Sequence, residues 1–220
     1  KQTNGMRFEK GIAKKYRRSV EDAFRSILEN GTDLQKSIAG NIVRSKMLVR
    51  VKPVSEINAS GITGLIDPDS TNQRIANEIL SLRDALGEVY IAIAEETIDT
   101  GGQRGCEGTF VHEGRHAYDF AQTIASFSDT ETNPLSIFDP TLFELEWEAH
   151  RISGEYMLCI NKDEYLHEGL HLMILGREAE TGPCFVDIEG IARRLRESYG
   201  LERGKNEGPH ASALLGLRLK

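Results

Sequence analysis

The chain has 220 residues, 39% of them hydrophobic and 28% charged, with a formal net charge of −7. That balance is an ordinary soluble globular profile with enough residues to bury a core, and it excludes a fibrous or disordered chain. The acidic excess argues against nucleic acid as a partner, and no run approaches the ~18 apolar residues of a membrane span.

Residues 6–30 carry Phe8, Ile12, Tyr16, Val20, Phe24, Ile27 and Leu28 at three- and four-residue steps, which predicts one amphipathic helix closed by Asn30-Gly31. The basic run Lys14-Lys15-Tyr16-Arg17-Arg18 falls inside it and reads as its solvated face. A second helix is expected from a Thr32/Asp33 cap to about Ser45. After it, Met47 to Val51 reads as a strand stopped by Pro53. Residues 55–70, with Gly61, Gly64 and Pro68, suggest strand fragments and turns. Helical spacing returns from Thr71 to Leu86.

The stretch "VYIAIAEETI" at 89–98 has the β-branched content of a strand, and we read it as the edge strand of a small sheet. A loop at 99–108 with four glycines then leads to a helix carrying "HEGRH" at 112–116. Asn133-Pro134 and Asp139-Pro140 bracket another loop, and Pro140 opens a helix from Thr141 to about Leu158. Residues 161–200 read as helical with a break at Thr181-Gly182-Pro183, and the Gly-rich tail 201–220 reads as partly mobile. Cys106, Cys159 and Cys184 show no pairing pattern, so no disulfide framework or cysteine zinc module is expected, and Cys106 reads as a buried apolar thiol.

His-Glu-x-x-His on a helix places two imidazoles one turn apart on one face, where both can bind one ion, with the Glu beside them to accept a proton from a metal-activated water. His112 and His116 are the candidate ligands and Glu113 the candidate general base. By chance such a pentapeptide occurs in about one or two chains in a hundred of this length, so context has to support it. One support is the strand before it, whose edge would pair with an extended peptide. The other is "FELEWEAHRISGEY" at 143–156, where Glu144, Glu146 and Glu148 all compete as third ligand.

"HEGRH" followed some thirty residues later by "EWEAH" resembles the gluzincin class of zinc metallopeptidases. The resemblance covers about residues 88–157, and it implies Zn²⁺, a protein or peptide substrate, and Glu146 as the ligand that opens a Glu-x-x-Ala element with Ala149. Position 150 departs from the pattern: His150 stands where an Asp is common, and it would serve either beside a ligand His or at the substrate oxyanion. Tyr118, Tyr156 and Tyr199 are candidate oxyanion donors, with Tyr156 preferred, and Asp119 could orient a ligand His.

"HEGLH" at 167–171, followed by Glu189 and Ala192, spells the same letters without a preceding strand. His167 and His171 are read as structural helix residues, or as lining the first site, with a second zinc site as the remaining alternative. No convincing boundary divides the chain. The expectation is therefore one α+β, mainly helical, zincin-like domain over 1–220: a helical part to about 87, the zinc-site core over 88–160 and a helical part from 161. Similar motif pairs occur in domains of large bacterial secreted or toxin proteins. A start at Lys1 fits a piece of such a protein, so a soluble location is expected, either cytoplasmic or within a larger secreted chain. The alternative function is a zinc-binding or regulatory domain without proteolytic turnover.

Overall fold

A computed structural model describes residues 6–220. It is mainly helical with a small mixed sheet, an α+β architecture as expected. The N-terminal segment departs from the predicted helix. Arg7–Phe8 forms a short strand (β1), the chain turns, and the helix α1 runs only over Lys14–Asn30. Its Tyr16, Val20, Phe24 and Ile27 are buried, so the periodicity was sound within the helix but did not mark its start. Helix α2 (Asp33–Ser45) begins at a full capping box, Thr32 with Gln35. Strand β2 (Leu48–Lys52) ends at Pro53, which opens the single turn α3 (Val54–Ile57).

Strand β3 (Gly61–Leu65) is followed by two helices where one was predicted. Helix α4 (Pro68–Asn77) is capped by Asp67 and α5 (Leu82–Glu88) by Ser81, and the extended link between them breaks the apolar period. Two local caps each stabilise a helix start by ~1 kcal/mol, enough to override continuity of spacing. Strand β4 (Val89–Ala94) is not the edge of the sheet. The order is β1-β2-β4-β3, with β1, β2 and β4 parallel and β3 antiparallel to β4, Gly61 opposite Ile93 and Leu65 opposite Val89. Val89, Ile91, Ala92, Ile93 and Ala94 are all buried, the near-continuous apolar run of a strand covered on both faces. The edge flanking the motif helix belongs to β3.

Nor is there a glycine loop after β4. One helix, α6, runs over Glu95–Ser128 and is broken only at Gly102, whose φ of 59° and ψ of −150° no other residue adopts without strain. Past a 3₁₀ turn at Pro134–Ser136, α7 (Leu142–Ile160) starts from a capping box of Thr141 with Glu144, one residue beyond Pro140. Helix α8 (Asp163–His171) follows. The remainder is not helical throughout: β5 (Leu175–Arg177) and β6 (Cys184–Val186) form a hairpin across the predicted break. After it come α9 (Ile188–Arg194), a π turn at Leu195–Tyr199 and α10 (Ala211–Leu215).

The tail is packed. Pro209 and Glu207 carbonyls accept from the Leu142 and Phe143 amides, satisfying N–H groups that the start of α7 leaves free, while Ala211 and Leu215 are buried. The main core joins the sheet to α1, α2, α6 and α7, with Phe24 and Phe110 edge to face at 4.2 Å. A smaller cluster of Phe143, Ile174, Ile191, Leu195 and Leu201 seats α9 and the π turn against α7. One buried carboxylate ties four helices: Glu107 of α6 accepts from Ser26 of α1 at 2.7 Å, Tyr165 of α8 at 3.1 Å, and Tyr156 of α7.

Candidate metal centre

The second half of α6 presents His112, Glu113 and His116, and α7 packs beside it with Glu146. His112 Nε2 lies 3.1 Å from His116 Nε2 and 3.3 Å from Glu146 Oε2, and His116 Nε2 lies 3.2 Å from Glu146 Oε1. A tetrahedral ion bound at ~2.0 Å holds its ligand atoms about 3.3 Å apart, and each of these separations, one between the imidazoles and one from each imidazole to a different oxygen of the Glu146 carboxylate, is of that size. Glu146 Oε2 and His116 Nδ1 are buried without a hydrogen-bond partner, and an orphaned carboxylate oxygen facing two imidazoles is what a cation would satisfy. Ligand atoms of His112, Glu146 and His150 also lie within 4.8 Å of one another. The cluster can hold a metal ion.

The electrostatics agree. Burial pulls the His116 imidazole down, but the hydrogen bond and charge of Glu146, with Glu113 and Asp119 adding, raise it to about 9. Burial pushes the Glu146 carboxyl up, but His112 and His116 hold it well below the usual carboxylate range. The rivals for the third ligand are occupied elsewhere: Glu144 closes the α7 capping box, and Glu148 pairs with Arg151 at 2.8 Å. Arg115, the odd charge inside the motif, turns away to Asp119 at 2.9 Å.

Glu113 is buried on the same helix as the two histidines and takes a hydrogen bond from Thr63 of β3. The strand approaches closely because residue 61 is glycine: a Cβ there would stand 2.5 Å from Thr109 Cγ2 and 2.9 Å from Glu113 Cγ. His150 is buried, with Nδ1 2.7 Å from the Glu146 carbonyl and Nε2 accepting from Arg194 Nε at 3.2 Å. This network assigns the proton to Nδ1. Burial first, then the neighbouring His112, pushes the ring down to about 4, so it is neutral. Tyr199 stands edge-on to His150, with ring centroids 5.6 Å apart.

Two hollows share Gly61 and Glu113. The larger, about 650 Å³, is lined by His112, His150, Arg104, Glu168, Arg194 and Tyr199. The smaller, about 340 Å³, is more apolar and is walled by Ile62, Phe120, Leu145 and Leu214, with His116 and Glu146 at its base.

Tyr156 does not belong to this site. Its hydroxyl is bound to Glu107 and Ser26 in the interior, and the tyrosine that reaches the cleft is Tyr199. The π turn at 195–199 carries it there, and such turns recur at functional sites. Tyr118 packs against the core. Thr63 and Arg194 were missed: a threonine in "GITGL" and a basic pair ending a helix carry no distinctive signal in one sequence.

In the second motif His167 and His171 are exposed and Glu189 is exposed, while Glu168 pairs with Arg104 on the wall of the larger hollow. Cys106 is buried, and burial together with Glu107 pushes its thiol up to about 12, as an inert core residue requires. Comparison with protein-family models, curated proteins and solved structures finds no match to this chain.

Proposed function

We propose that the chain is a zinc-dependent peptidase. The observation that carries this reading is the convergence of His112, His116 and the Glu146 carboxylate, whose imidazole nitrogens lie 3.1 Å apart and 3.2–3.3 Å from one or other carboxylate oxygen, with Glu113 buried on the same helix. The donor set of two imidazoles and one carboxylate is an accepted catalytic set for zinc, and it leaves a fourth position open. His150, whose ring also lies within 4.8 Å of His112 and Glu146 ligand atoms, would fill that position only by giving up the hydrogen bond that its Nε2 accepts from Arg194. Zinc bound there supplies Lewis acidity, bringing water towards a pKa of ~7 and polarising a carbonyl.

The protein's own groups do the rest. Glu113 accepts a proton from the attacking water and returns it to the leaving amine, and Thr63 fixes one of its oxygens so that the other is free to do so. Burial, then the Glu146 charge, raises the Tyr199 hydroxyl above its ordinary range, which keeps it a proton donor for the oxygen of the attacked carbonyl. His150 is a positioning residue that braces the Glu146 backbone. An extended peptide would lie along the free side of β3, pairing with its main chain.

The test is elemental analysis joined to Glu113→Gln. Purified protein should contain about one zinc per chain, and the variant should keep the metal while cleavage of a mixed peptide library falls ~10²–10⁴-fold. Wild type that holds zinc yet shows no chelator-sensitive cleavage would leave the binding-domain reading in its place.

A further inference from the structure

Two arginines line the larger hollow, and they differ in one respect. Arg104 is neutralised by Glu168 across the wall. Arg194 has no carboxylate within ion-pair reach among the described residues, and its Nε–H goes to the neutral Nε2 of His150. The residue is half-buried and firmly seated, since Ile191 and Leu195 on either side are fully buried in the smaller core cluster. With Nε committed and the Tyr199 hydroxyl a further hydrogen-bond partner, the guanidinium still has more N–H donors than these two acceptors use, and its terminal NH₂ groups can grip a carboxylate through paired hydrogen bonds. A partly desolvated cation held in place without a counter-charge costs stability unless something else neutralises it.

We infer that Arg194 is the anion-recognising residue of the cleft, so that the substrate carries a carboxylate close to the bond presented to the metal. The inference rests on the metal-site reading above. The anion is either an acidic side chain or a free C-terminus, and both offer the same fork-matching oxygens.

The test is binding, not turnover. Zinc-loaded protein is titrated calorimetrically with mono-hydroxamates of succinic, glutaric and adipic acid, and with the corresponding neutral amides. The hydroxamate anchors each probe on the metal and the arm length samples the reach to Arg194. The carboxylate form of at least one length should bind about tenfold more tightly than its amide, the gain of a charge-assisted hydrogen bond. Arg194→Ala should erase that preference, read as the ratio of charged to neutral affinity within the variant, and Arg194→Lys should keep part of it. Dipeptide hydroxamates bearing either a Glu side chain with an amidated end or a free C-terminal carboxylate then identify the source by which one gains. Equal binding of charged and neutral probes to wild type, or a preference that survives in Arg194→Ala, overturns the inference and leaves the metal site standing. If no hydroxamate binds at all, the metal-site reading falls and takes this one with it.

Discussion

If His116 is a zinc ligand as proposed, zinc and a proton compete for it, and the structure sets the terms. In the metal-free fold its imidazole is raised to about 9, burial being outweighed by Glu146, Glu113 and Asp119, against ~6.5 in an unfolded chain. A raised folded value means that the proton's contribution to stability is fully present below pH 6.5 and is lost as pH rises through 9. At ~1.4 kcal/mol per tenfold in proton affinity, that contribution is about 3 kcal/mol. In a chain of this size 1 kcal/mol moves Tm by ~2–4 °C, so chelator-stripped protein should melt about 6–12 °C lower at pH 9 than at pH 6.5 from this group alone. Zinc needs the unprotonated nitrogen, so its apparent affinity should rise roughly fiftyfold between pH 7 and 9. The gap in Tm between zinc-loaded and stripped protein should therefore widen with pH. Differential scanning fluorimetry at pH 6.5, 7, 8 and 9, with free zinc held constant by a metal buffer, measures it. Glu146 does not interfere, because a carboxyl held below its ordinary value loses its contribution only as pH falls beneath ~4.5. The depressed His150, at about 4, costs stability only as pH falls below 6.5. A gap that stays constant or narrows between pH 6.5 and 9 would refute the proposed coupling of His116 to Glu146 and to the metal.

Gly61→Ala should overpack β3 against Thr109 and Glu113, costing ~1–3 kcal/mol by chemical denaturation. If the chain is the peptidase proposed above, the change should also lower peptide cleavage about a hundredfold through displacement of Glu113, with zinc content unchanged because the three candidate ligands sit on α6 and α7. His167→Ala and His171→Ala, singly or together, should leave zinc stoichiometry at the wild-type value and stability within ~0.5 kcal/mol, as both side chains are exposed. Loss of zinc in either variant would move the site to the second motif.

What the sequence disclosed was local. The two imidazoles of "HEGRH" share a face because a helix has 3.6 residues per turn, and Thr32 with Gln35 announces a helix start by the reach of its own side chains. Choosing Glu146 over Glu144 and Glu148 needed the family pattern, since all three lie on one acidic helix turn and only packing of α7 on α6 separates them. Sheet order was hidden for the same kind of reason. An apolar strand reads alike at an edge or in the middle, and β3 is set beside β4 by pairing across about thirty residues. Four glycines suggested a loop, yet only Gly102 departs from helical backbone. Arg194 and Tyr199 reach the cleft because a remote core cluster seats α9 there, a fact with no trace in their own neighbourhood.

The Glu107 node has a mechanical meaning for the metal. The candidate ligands come from two separate helices, so their 3.1–3.3 Å spacing is a tolerance on how those rods are clocked against each other. A rotation of α7 by ~10° about its axis would swing an atom 6 Å from that axis by about 1 Å, enough to pull Glu146 out of register with the two imidazoles. Glu107 lies about one and a half turns before the motif on α6 and clamps Tyr156 nearly three turns beyond Glu146 on α7, with Ser26 and Tyr165 bracing the joint from outside. The buried carboxylate thus acts as a dowel between the rods, and the accuracy with which they could seat a metal ion is set at a point such an ion would never touch.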